Sequence, residues 1–129
     1  MAKQSLVESL ISDSVKLVDE LDKQGHYPSN ALRYFFSDAE EWRLLIAGHS
    51  FNQFLPKDEG QVVITKAIGS ANLDSLTVAD VKVVRTDDTT LIATKMLVKT
   101  SPVDVRPIHF HDLTFNGIFI REICVLRAV

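Results

Sequence analysis

The only cysteine of the chain, Cys124, closes the stretch HFHDLTFNGIFIREIC, which also carries His109, His111, Asp112 and Glu122. Asn116-Gly117 lies between two alternating runs there, and this dipeptide is the strongest short hairpin signal, because both central residues of a type I′ turn need positive φ. A two-residue turn pairs Phe115 with Ile118 and sets every pair outward from it. His111 then faces Glu122 and His109 faces Cys124 on one surface, where opposed Cβ atoms are about 4.5–5.5 Å apart. Asp112 faces Arg121 on the other surface, a favourable cross-strand ion pair.

Two chemistries suit such a group. Histidine, cysteine and glutamate are zinc ligands, and an HxH pair in a strand points both imidazoles the same way. Alternatively, His109 and Cys124 could form a thiol dyad in which the imidazole lowers the thiol pKa and the sulfur attacks an electrophile. Against both, strand HxH pairs arise by chance, and a cysteine between Ile123 and Val125 behaves most often as a small buried hydrophobe. Neighbours at alternate strand positions are about 6.5–7 Å apart, so ligands on one flat strand reach a common ion only by leaning inward. The expectation is therefore no metal, no cofactor and a solvated or helix-covered polar patch, with a zinc site at His109, His111, Glu122 and Cys124 as the alternative.

The hairpin needs a scaffold. Leu6, Val7, Leu10, Ile11, Val15, Val18 and Leu21 recur at three- and four-residue steps, which predicts an amphipathic helix over residues 5–24. Ser5 with Glu8 fits a capping box, and Gly25 suits a helix stop. ALRYFFSDAEEWRLLIAG, residues 31–48, reads as two aromatic-rich strands around a polar turn at 37–41. Pairing Phe36 with Trp42 would put Leu32, Tyr34, Phe36, Trp42, Leu44 and Ile46 on a core face. Arg33 and Arg43 then share the opposite face, where two guanidinium groups could contact an anion or simply meet carboxylates and water. Residues 57–72 suit a helix or a strand, with the helix preferred. Val81 and Val83 mark a short strand, and Asp87 or Asp88 can cap a helix through Leu91 and Leu97 that Ser101 and Pro102 end. The predicted architecture is one α+β domain over residues 1–129: a single antiparallel or mixed sheet of about five strands, with about three helices packed on it.

Composition narrows the roles. The chain has 129 residues, is 46% hydrophobic and 24% charged, and carries a net charge of −3. It has no lysine- and arginine-rich block, so general nucleic-acid binding is not expected. The opening 25 residues hold no unbroken apolar run, which predicts neither a signal peptide nor a membrane span. One unpaired cysteine agrees with a reducing compartment, and a cytoplasmic location is expected. P-loop, GxGxxG, GxSxG and CxxC signatures are absent.

NALRYFFSDAEEWRLLIAG together with DLTFNGIFIREICVLRA resembles a family of small uncharacterised bacterial proteins with an aromatic strand, an acidic turn, a Trp-Arg-Leu strand and a closing Asn-Gly hairpin. The residues that carry the likeness are Trp42, Arg43, Leu44, Asn116, Gly117, Ile120 and Arg127. It implies the fold above and no activity, and His109, His111 and Cys124 lie outside its pattern. The sequence thus predicts a non-enzymatic cytoplasmic accessory or protein-interaction domain. Its alternative is a small zinc-dependent or Cys-His thiol enzyme. Trp42, Phe35, Phe51, Phe54, Phe115 and Ile118 supply more large apolar side chains than the elements visibly cover, which predicts a homodimer.

Overall fold

A computed structural model describes residues 2–36, 39–52, 59–100, 105, 107–115 and 117–129. Helix α1 (Ala2–Lys23) leads into β1 (Asn30–Phe36) and β2 (Glu41–Ala47). The short α2 (His49–Asn52), α3 (Glu59–Ala71), β3 (Val81–Val83) and α4 (Thr89–Leu97) follow, and β4 (Ile108–Phe115) and β5 (Ile118–Ala128) close the chain. The five strands form one mixed sheet in the order β3-β2-β1-β5-β4, parallel only between β2 and β3. This is the α+β architecture expected from the sequence.

The helices cover both faces. On one, Leu17, Val18 and Leu21 of α1 and Ile64 and Ala67 of α3 pack over Ala31, Leu44, Ile46, Cys124 and Leu126. On the other, Leu91 of α4 packs with Leu32, Leu45, Ile120, Ile123 and Val125. Helix α1 stops as predicted at Gly25, whose φ is +82°. The amides of Gly25 and His26 donate to the carbonyls of Asp22 and Leu21, which satisfies two carbonyls at the helix end. Its start differs from the expectation: α1 begins near Ala2 and runs through Ser5, which is therefore not a cap. Asp88 caps α4 by accepting from the Thr90 amide at 2.9 Å. The helix ends before Ser101 and Pro102, which lie outside the described residues. Residues 59–71 of the ambiguous stretch are helical.

The β1–β2 register corrects the sequence reading. Phe35, not Phe36, pairs with Trp42, and their rings meet edge to face at 5.4 Å. Arg33 now pairs with Leu44 on the α1 face, while Arg43 pairs with Tyr34 on the other, so the two arginines start from opposite faces of the sheet, although both border one small cavity. Leu44, Leu45 and Ile46 are consecutive and all buried. A strand covered on both faces shows no in-out alternation, so its apolar pattern fixes no register.

Where β1 meets β5, Ala31 pairs with Arg127 but Leu32 with Val125, a bulge that leaves Leu126 as the extra residue. Such an insertion re-aims the residues after it. Arg127 thereby turns beneath the end of α1 and pairs with Asp22 through two contacts, of 3.1 and 3.0 Å. It also donates to the Pro28 carbonyl at 3.1 Å and lies over the Tyr27 ring.

Candidate functional site

The closing hairpin has the register that Asn-Gly predicts. Phe115 pairs with Ile118, His111 with Glu122 and His109 with Cys124. Gly117 has φ +78°, and Asn116 lies outside the described residues. One pair fails: the ladder skips Asp112 and Arg121, and Asp112 adopts φ +54°. The left-handed kink, which aspartate tolerates better than most residues, reverses the in-out alternation there. Leu113 and Ile120 consequently join Phe110, Ile123 and Val125 in one apolar cluster, where unbroken alternation from the Asn-Gly turn would set them on opposite faces. Phe119 is 58% exposed, and Arg121 lies over the Phe35 ring instead of opposite Asp112.

His109, His111, Glu122, Cys124, Arg33 and Trp42 all share the α1 face of the sheet. His109 Nε2 is 3.7 Å from Cys124 Sγ. The histidines and Glu122 are exposed at the β4 edge, while Cys124 is buried beneath them. Trp42 reaches across from β2, and with His109, Phe110, His111, Glu122 and Ile123 it lines a groove of about 230 Å³. Among the described residues no three His, Cys, Asp or Glu side chains form a group that could hold one metal ion.

The electrostatics of Cys124 oppose nucleophilic use. Burial pushes its thiol up to about 11 against the opposing pull of the neighbouring Arg33. At neutral pH that leaves roughly 100-fold less thiolate than an ordinary thiol. Iodoacetamide at pH 8 is therefore expected to label native Cys124 at least about tenfold more slowly than the denatured chain. Comparable rates for the two forms would show that the thiol is accessible and ionisable after all.

Arg33 was expected to share a face with Arg43, and the structure gives the two different surroundings. Arg43 is held by Glu41 at 2.7 Å and donates to the Trp42 carbonyl at 3.3 Å. Arg33 is 7% exposed, and its guanidinium lies 4.9 Å from the Trp42 ring centre. It has no hydrogen bond or ion pair among the described residues. Burial lowers its pKa, while Cys124 and Asp80 nearby act the other way. Sequence alone gave no sign of this isolation, because it depends on the one-residue register.

Comparison with known proteins returns no matching family model, no similar curated protein and no similar solved structure. No helix among the described residues is long and apolar enough to cross a membrane.

Proposed function

We propose that the chain is a non-enzymatic accessory domain of the bacterial cytoplasm that binds a protein partner through the α1 face near β4. The observation that carries this reading is the groove itself: the Trp42 ring supplies aromatic surface, His109, His111 and Glu122 supply polar groups, and the buried thiol beneath is held protonated. Aromatic residues within a polar rim are the composition of recognition surfaces. A panel of hydrolase and transferase substrates is expected to give no turnover beyond that of the His109→Ala/Cys124→Ala double variant. Robust turnover that this variant loses would overturn the proposal.

The same domain is proposed to act as a homodimer. Strand β4 is an edge of the sheet, and exposed edges invite pairing. Phe51 does not contribute to the apolar surplus, because it is fully buried. Phe54 lies outside the described residues. Sedimentation at tens of micromolar, roughly the range in which modest interfaces associate, is expected to show dimer, and monomer alone would remove the proposal.

The 3.7 Å contact between His109 and Cys124 favours a second reading, a zinc-dependent or thiol enzyme on the hairpin. Elemental analysis after purification without chelator decides the metal branch. Near-stoichiometric zinc, lost in both His109→Ala and Cys124→Ala, would establish it.

A further inference from the structure

A guanidinium has five N–H donors, and burying it without acceptors is costly. Arg33 is 7% exposed, rests its guanidinium on the Trp42 ring and makes no hydrogen bond or ion pair among the described residues, whereas buried Arg127 makes three hydrogen bonds. Its side chain instead lines a cavity of about 90 Å³ with Leu10, Trp42, Arg43, Leu44, Leu76 and Asp80. Arg43 also borders the cavity, and its guanidinium is engaged by Glu41. Asp80 on the same wall accepts from the Thr77 amide and hydroxyl through Oδ2, and among the described residues it makes no hydrogen bond or ion pair with Arg33.

We propose that this cavity, between α1 and the β1–β2 pair, is a binding site for a short aliphatic monocarboxylate whose carboxylate is held by Arg33. Three features select that class. The planar fork of the guanidinium matches a carboxylate through two parallel hydrogen bonds. Asp80 on the cavity wall adds negative charge, which disfavours a dianion such as phosphate more than a monoanion. The remaining wall is apolar, from Leu10, Leu44, Leu76 and the Trp42 ring, and suits an alkyl chain. Size agrees with a small ligand: a cavity of about 90 Å³ is smaller than the roughly 150 Å³ that accommodates benzene and larger than the roughly 30 Å³ share of one water. Two to four carbons fit. The inference stands on Arg33 and its cavity alone, whatever the hairpin face binds.

Trp42 is the only tryptophan, so its fluorescence reports on the site directly. Sodium propionate titrated into the full chain, with sodium chloride holding ionic strength constant, is expected to give a saturable change with a Kd on the order of 1 mM. Propionamide, of the same shape without the charge, should bind at least about tenfold more weakly to the unaltered protein. Arg33→Gln should abolish the response and Arg33→Lys weaken it about tenfold, since lysine keeps the charge but loses the fork. If Arg33→Gln does not fold, the comparison of propionate with propionamide still decides. No saturable change up to about 50 mM propionate, equal binding of propionamide, or inorganic phosphate bound as tightly as propionate would each overturn the assignment.

Discussion

Replacing Arg127 with methionine is expected to lower stability by about 3 kcal/mol, which shifts Tm by roughly 10 °C in a domain of this size. Arg127 is fully buried, and it ties the end of α1, through Asp22, to the following turn, through the Pro28 carbonyl and the Tyr27 ring. Removing it strands a carboxylate that is 30% exposed and a carbonyl acceptor, so the expected loss lies at the lower end of the range for broken buried pairs. Methionine keeps much of the volume, so the effect reports on polar contacts more than on a cavity. A double-mutant cycle with Asp22→Ala should show the two losses to be non-additive by more than about 1 kcal/mol. Denaturant unfolding measures all three variants, and a loss under about 1 kcal/mol for Arg127→Met would mean the contacts contribute little net stability.

Asp13 is the second anchor and gives stability a pH dependence. Its buried carboxylate accepts from the amides of Asp74, Ser75 and Leu76 at 2.6 to 3.2 Å and so pins the loop after α3 to the middle of α1. Burial alone would raise its pKa, but the amides of Leu76, Ser75 and Asp74, helped by Lys16, outweigh that and hold it below the ordinary carboxylate value. A depressed native pKa means that the unfolded chain takes up the proton first as pH falls. The contribution is therefore fully present above the unfolded value of about 3.9 and is lost as pH drops through the native one. Asp13→Asn should cost about 2–3 kcal/mol at pH 7, and the gap to the unaltered protein should narrow below pH 4. Equal losses at pH 7 and pH 3 would show that the charge of Asp13 is immaterial.

These two anchors show what the sequence leaves illegible. Both join residues far apart in the chain, Asp13 with 74–76 and Arg127 with Asp22, and neither position has a local pattern that names its partner. The hairpin was readable because Asn-Gly dictates a turn, and the turn dictates the pairs from Phe115 and Ile118 to His109 and Cys124. Asp112 broke the pattern by a backbone choice that aspartate permits but does not announce. The β1–β2 turn carried no comparable signal: Glu40 takes φ +51° there, a conformation more typical of glycine or asparagine, and the one-residue error separated Arg33 from Arg43. Helices α1 and α4 were legible from the spacing of their apolar residues and the signals at their ends, whereas α3 was only the preferred of two readings, because its apolar residues also suit a strand. The candidate site was legible as a set of hairpin neighbours. The isolation of Arg33 and the protonated state of Cys124 emerged only from what packs above them.

The central position of β1 beside β5 has a kinetic consequence. Tyr34 pairs with Ile123 and Asn30 with Ala128, so the middle seam of the sheet joins segments separated by nearly the whole chain. The β4–β5 hairpin and the β1–β2 pair can each form early from near neighbours, but they become one sheet only when that long loop closes. Non-local closure of this kind places folding on the order of milliseconds to seconds rather than microseconds, and until it occurs both half-sheets expose the strand edges that the native seam hides.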